Sequence, residues 1–395
     1  MPDFDWIFNY GYLGSRVFDL ANFMICAVVV LLFGQKFRVS ALTQLILILH
    51  CFLPFILNDV LFPTSYMPDQ FRYWRAFNFI RSGEFELVTQ YEPSKTVLIP
   101  SYFFSLIPLP IAAGPWSLGF YNAFLYILLF FWLYNKKVFT SVSLAFFLFF
   151  PSLALYSSLA LRETLIIFFM IISIQLAREN RKLLMLFSLI PLYFIKFQNF
   201  FILMPLLLTY VVFGVYKKGM TLANTFLIAI AGCISVALVF PVVLPLINKF
   251  RKAMFAEDGG EANAIGEIET LGEFFTEALT AAPYFLTKPF IWEAGNALQL
   301  IQSIENLVVL IFLVIITRQA WRNQPKKLIF WMLFLSVSMT IYGIVVANYG
   351  TAVRYRYPFI VAFVLFVCAD CNIQQLFPTK KFTFMKRRLR ESRES

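Results

Sequence analysis

Apolar residues fill this chain in long unbroken runs. They cover 17–34, 40–62, 117–134, 138–157, 161–177, 183–196, 199–216, 222–247, 303–317, 328–347 and 355–371. A bilayer core takes about 17–25 apolar residues per crossing helix. A membrane barrel would instead show alternation over roughly 10-residue segments. The pattern therefore predicts an all-α, polytopic transmembrane helical bundle of about 11 spans, within about 10–12. Two polar stretches, 63–95 and 249–302, interrupt it. The stretch 96–116 is apolar but carries Pro100, Pro108, Pro110 and Pro115.

Lys and Arg in short loops set the orientation. Lys136/Lys137, Arg178 to Lys182, Lys217/Lys218 and Arg318 to Lys327 fall on one side if each intervening run crosses in turn. Lys36 and Arg38 join that side only if 96–113 does not cross. That proline-rich run is therefore expected to be re-entrant or interfacial, with its free backbone groups buried in protein. The N-terminus is then outside and the C-terminus cytoplasmic. The same orientation gathers Asp69 to Arg81, Arg162/Glu163, Lys196/Gln198, the stretch 249–302 and Arg354/Arg356 on the outer face, although none of them was used to set it. The expected organisation is a single membrane domain over 1–378, with outer loops at about 63–116 and 249–302, and a basic tail over 379–395. Within the second loop, Ala256 to Glu261 reads as a flexible tip. Ile268 to Leu279 reads as an amphipathic helix lying on the membrane.

Composition agrees. Of 395 residues, 60% are hydrophobic and 14% charged, against about 25% charged in soluble domains. The net charge of +11 sits largely in short loops and the tail, which suits an anchor on anionic lipid and not nucleic-acid binding. Cys26, Cys51, Cys233, Cys368 and Cys371 lie in or beside apolar runs and read as small packing residues. There is no Walker loop, no GxGxxG after a strand and no His/Cys metal cluster. The single histidine, His50, falls within an apolar run and reads as packed and hydrogen-bonded.

The candidate chemistry follows from charges a bilayer penalises. Asp69, Arg72 and Tyr73 share a helix face at i, i+3 and i+4, with Arg75 close by. A carboxylate beside guanidinium forks suits a base next to bound phosphate. Arg162 and Glu163 open an apolar run. Arg354 and Arg356, interleaved with Tyr355 and Tyr357, stand where the positive-inside rule disfavours them, so they ask for an anionic partner. Lys196 and Gln198 lie between two runs too close for a real loop; substrate contact and snorkelling both fit. Glu305 is either a second acid or a helix-end carboxylate. No cofactor is expected, although Glu84, Glu86 and Glu92 near Asp69 leave a divalent-cation site open.

With these residues in view, the chain resembles bacterial polysaccharide polymerases of the Wzy type, in particular the exopolysaccharide branch. The resemblance rests on Asp69-x-x-x-Tyr73, on Glu92-Pro93 leading into an apolar run, and on Leu161-Arg-Glu-Thr-Leu165 followed by the basic turn at Arg178 to Lys182. Arg354-Tyr-Arg-Tyr-Pro358 is similar to the late arginine motif of multi-spanning glycosyltransferases that use polyprenyl-linked sugars. Where that branch often carries a histidine, this chain has Lys196-Phe-Gln-Asn199, so no histidine role is carried over. The resemblance implies a bacterial inner-membrane enzyme that joins undecaprenyl-diphosphate-linked oligosaccharides at the periplasmic face. Membrane lipids and a chain-length regulator are further candidate partners. In that scheme Arg72, Arg162, Arg354 and Arg356 hold the diphosphate. Asp69 is the base, with Glu163 as substitute, and Tyr73, Trp74 and Tyr355 flank the sugars. Two other readings stay open. One is a transferase moving a single sugar from a polyprenyl monophosphate; the other is a flippase of lipid-linked glycans, which would often show two similar halves.

Overall fold

The computed structural model describes residues 12–57, 61–62, 67–92, 94–110, 112–257, 266–346 and 349–376. The tail at 379–395, the first eleven residues and most of the 256–261 tip lie outside the described residues. Among the described residues each of the eleven apolar runs carries helix, and no sheet occurs. In chain order, α1 (Tyr12–Lys36) and α2 (Ala41–Leu57) precede α3 (Asp69–Ser82), α4 (Phe85–Tyr91) and α5 (Lys95–Ser105). Then come α6 (Leu118–Asn135), α7 (Ser141–Phe149), α8 (Pro151–Tyr156), α9 (Glu163–Arg178), α10 (Lys182–Ile195) and α11 (Phe197–Val212). The last five are α12 (Leu222–Glu257), α13 (Leu271–Thr287), α14 (Ala297–Asn323), α15 (Pro325–Val345) and α16 (Tyr349–Asp370).

Among the described residues six helical segments are each long and apolar enough to cross a membrane: Val17–Lys36, Pro115–Asn135, Leu222–Ala256, Ala297–Asn323, Pro325–Val345 and Gly350–Asp370. The remaining runs form shorter helices. The run at 138–157 breaks into α7 and α8, because Pro151 has no N–H to continue the ladder and holds Phe150 extended (φ −71°, ψ 112°). α12 continues ten residues beyond the apolar run, which ends at 247, so the polar loop begins inside a helix. Lys249 to Glu257 has no glycine or proline to stop it.

The basic clusters gather at one end of the bundle. Lys136 pairs with Glu179 (2.9 Å) and Arg178 with Asp370 (2.7 Å), while Lys327 Nζ donates to the Asp370 carbonyl (3.4 Å). Met220 N donates to the Lys326 carbonyl (2.7 Å), and Phe37, between Lys36 and Arg38, stacks on Phe131 near the end of α6 (5.9 Å). At the opposite end, α5 begins and its chain returns beside the same helix. Tyr73 donates to the Thr96 carbonyl (3.4 Å), Trp74 Nε1 to that of Ala112 (2.9 Å), and Arg81 to those of Ile107 and Leu109 (both 2.7 Å). An 11-residue helix rises about 16 Å, about half the ~30 Å hydrocarbon core. The helix is too short to cross such a core, and the chain that follows it comes back against α3.

α13 starts three residues into the expected amphipathic stretch, at a capping box formed by Thr270 and Glu273, and runs on past its end to Thr287. It does not lie free. Its buried Ala281 and Phe285 seat on α15, where a Cβ on Gly343 would come within 2.5 Å of the Ala281 carbonyl oxygen. The two helices make the most extensive helix–helix contact among the described residues. The missing side chain at Gly343 permits that approach.

Between α8 and α9 the backbone of Ser157 to Arg162 is irregular and almost wholly buried. Such a segment is stable only if its polar groups are paired. Asn122 Nδ2 donates to the carbonyls of Leu159 (2.5 Å) and Leu161 (2.6 Å), and the Gln70 side-chain oxygen accepts from Ala160 N (2.9 Å). Gly119 lies directly under this loop, and a Cβ there would run into the Ser158 carbonyl. Gly119→Ala is expected to lower unfolding free energy by about 1–3 kcal/mol. Gly232→Ala, where the added methyl meets nothing within 4 Å, is expected to be neutral or slightly stabilising. Thermal melts of both variants in detergent check the contrast.

Candidate active site

The buried loop ends on Arg162 and delivers Glu163 as the first residue of α9, at the end of the bundle opposite the basic clusters. Glu163 is nearly inaccessible and accepts from Arg354 Nε through Oε1 (2.6 Å). Its Oε2 has no hydrogen-bond partner among the described residues. Arg354 also reaches Asp69 (3.5 Å), and Asp69 faces Arg72 on its own helix (3.7 Å). Arg72 in turn grips the buried Glu92 with two hydrogen bonds, Nε to Oε2 (2.9 Å) and Nη2 to Oε1 (2.6 Å). The Glu92 bonds, opposed by partial burial, raise the Arg72 guanidinium above its ordinary pKa. The row thus runs Glu92, Arg72, Asp69, Arg354, Glu163. It joins α3, the turn before α5, α9 and α16, and Asp69 is its accessible carboxylate, with its side chain 39% exposed against 2% for Glu163.

Beside this row two further cations line a cavity of about 330 Å³. Arg162 Nη1 donates to the carbonyls of Thr96 (3.0 Å) and Ile195 (3.3 Å), which ties the start of α5 to the end of α10. Lys196 sits in the extended break between α10 and α11 (φ −155°, ψ 89°). Its buried Nζ stands 3.0 Å from the ring centroid of Tyr355 and 5.5 Å from that of Tyr342, and has no hydrogen-bond partner among the described residues. Arg162 Nε is likewise unpartnered among them. Apart from Thr96, Gln198 and the two tyrosines, the rest of the cavity wall is apolar, including Leu246, Ile247, Phe250 and Met254 from α12 and Ile341 and Val345 from α15. A cationic floor under an apolar wall fits an amphiphile with an anionic head.

Of the expected site residues, Asp69, Arg72, Arg162, Glu163, Lys196 and Arg354 meet here. Three do not join them as expected. Arg75 turns aside, with Nη2 donating to the Tyr91 carbonyl (3.4 Å) and its guanidinium over the Tyr91 ring (5.7 Å). Tyr73 is buried with its hydroxyl on Thr96 O, so it packs the start of α5 and offers no sugar-facing surface. Arg356 is the clearest departure. At about 100° per residue, positions two apart on α16 diverge by about 200°, so Arg354 and Arg356 cannot share a ligand. Arg356 donates to the carbonyls of Phe285 (2.9 Å), Leu286 (3.3 Å) and Lys288 (2.5 Å), closing the end of α13 that a helix leaves unsatisfied. Arg356→Met is therefore expected to cost about 1.5–3 kcal/mol. Limited proteolysis should show earlier cutting around α13, with substrate affinity of the surviving folded protein unchanged.

Other candidates are structural here. Glu305 Oε1 accepts from Ser152 N at the start of α8 (2.9 Å). His50 shares a hydrogen bond with Ser157 (2.9 Å) and stacks on Tyr126 (3.9 Å). Among the described residues no three His, Cys, Asp or Glu side chains are grouped to hold a metal ion. Sequence reasoning missed Tyr342, whose ring flanks Lys196 and whose hydroxyl donates to Asn199 Oδ1. It also missed the α12 wall. Neither carries a signal: Tyr342, Leu246 and Ile247 sit inside apolar runs, and Phe250 and Met254 fall in the stretch that reads as a polar loop. No family model matches the chain, and no curated protein or solved structure matches it significantly.

Proposed function

We propose that this protein is a glycosyltransferase of the polysaccharide-polymerase type, working on polyprenyl-diphosphate-linked oligosaccharides. The observation that carries the reading is the buried Lys196, whose Nζ has no hydrogen bond among the described residues, beside Arg162 under an apolar wall. Four cations (Arg72, Arg162, Lys196 and Arg354) face three carboxylates (Asp69, Glu92 and Glu163), so the cluster has room for a bound anion. In this reading the diphosphate of the donor rests on Arg162 and Lys196, with Arg354 at its edge, and its prenyl chain lies along α12. The bond from the sugar anomeric carbon to the diphosphate oxygen breaks, and the electron pair leaves with the diphosphate, where the cations stabilise it. A hydroxyl of the acceptor repeat attacks that carbon and gives its proton to Asp69. Glu163 positions Arg354. About 11 crossings, with the N-terminus outside, the C-terminus cytoplasmic and the site on the periplasmic side of an inner membrane, complete the proposal.

A floor of two cations also suits a single phosphate, which keeps a polyprenyl-monophosphate sugar donor as the second reading. Analysis of surface glycans and lipid-linked oligosaccharides from a strain lacking the gene separates the two. Collapse of a glycan ladder to one complete repeat unit on lipid is the expected result. Chains of normal length that lack one sugar would replace the polymerase with a single-sugar transferase. Complete repeats trapped on the cytoplasmic side would replace both with a transporter.

A further inference from the structure

At the other end of the bundle, a groove of about 620 Å³ runs between α14, α15 and α16. Its wall is apolar, with Leu310, Leu313 and Val314 on α14, Met332 and Leu335 on α15, and Phe363 on α16. It ends on Arg318 and Arg322, one turn apart on the same face of α14. Neither arginine has an ion pair or hydrogen bond among the described residues, and both are exposed. Trp321, 55% exposed, lies beside them on the groove. From Leu310 to Arg322 the helix rises about 18 Å, so apolar lining and guanidinium groups are separated along the axis as lipid chains and headgroup are. Asn323, next in sequence, donates to the Cys371 carbonyl (3.2 Å), which sets this end of the groove beside Asp370 and among the basic clusters.

We propose that this groove is a binding site for an anionic glycerophospholipid. Acyl chains lie against the six apolar side chains, the phosphate sits in the two guanidinium forks, and the Trp321 ring marks the headgroup level. The charge pattern decides the class. Two arginines that make no ion pair among the described residues, with the neighbouring Asp370 already held by Arg178 at 2.7 Å, favour a lipid with net negative charge over a zwitterionic one. Its arginine end lies at the opposite end of the bundle from Glu163 and Lys196, and the groove shares no lining residue with the cavity assigned to the glycan carrier.

Native mass spectrometry of the full chain in detergent tests the assignment, with phosphatidylglycerol and phosphatidylcholine as competing probes. Retention of phosphatidylglycerol is expected to exceed that of phosphatidylcholine roughly tenfold. The double variant Arg318→Gln/Arg322→Gln is expected to lose that preference while still retaining phosphatidylcholine. Val314→Trp, which fills the groove, is expected to lose both lipids. The two arginines are exposed and unpaired among the described residues, so the double variant remains informative should Val314→Trp fail to fold. Equal retention of the two probes by the wild type, or an unchanged preference in the double variant, overturns the proposal. Displacement of phosphatidylglycerol by equimolar polyprenyl phosphate would assign the groove to the carrier lipid instead.

Discussion

Arg354→Ala is expected to abolish product formation and to destabilise the protein by about 3–5 kcal/mol. Both effects come from one guanidinium. Glu163 is nearly inaccessible, and Arg354 is the cation that meets it directly, at 2.6 Å. Removing that cation leaves a carboxylate buried without its charge partner, which costs far more than the net worth of the pair. The same substitution frees Asp69 from its 3.5 Å contact and opens the row between α9 and α3. The double variant Arg354→Met/Glu163→Gln separates the two consequences. It buries no lone charge, so most of the lost melting temperature is expected to return. Product formation should stay absent, since the guanidinium beside the reacting diphosphate is gone; losing a single such stabiliser costs about 100-fold or more. Thermal melts paired with product analysis check both halves. A double variant that regains activity along with stability would make Arg354 a packing residue.

Lys196→Met is expected to lower activity by about 100-fold while leaving stability unchanged or raised. The opposite signs are the test. A buried ammonium held by two aromatic rings, with no hydrogen bond from the described residues, is costly in the empty protein. Methionine keeps the length of the side chain and removes that cost. If Lys196 served only to hold Tyr355 and Tyr342 together, the substitution would instead lose about 2 kcal/mol of cation–π attraction and leave turnover near normal. Melting temperature and turnover measured on one preparation decide between the two.

The long-range organisation was legible because apolar length and basic loops are strong signals. Each apolar run carries helix among its described residues, and Asp69, Arg72, Arg162, Glu163, Lys196 and Arg354 meet at one end. What escaped was rotational and local. Arg354 and Arg356 read as a pair along the chain, but helix α16 begins before them at Tyr349 and turns them to opposite sides. Tyr73 read as a sugar platform because a tyrosine at i+4 from Asp69 shares its face; α5 dips back and covers it. The role of Lys196 depends on a break between α10 and α11 that spacing exposed, but its aromatic neighbours come from α15 and α16, more than a hundred residues later. The amphipathic period of α13 read as a helix lying on the membrane. It could not say that α15, thinned at Gly343, would cover its apolar face.

The most direct measurement uses the purified protein with lipid-linked oligosaccharide extracted from the deletion strain, and reads product length and released polyprenyl diphosphate by mass. The wild type is expected to release the carrier and to build a ladder spaced by one repeat unit, and Asp69→Asn to bind the substrate without extending it. A wild type that releases no carrier diphosphate, or an Asp69→Asn variant that builds the ladder at the normal rate, would contradict the account.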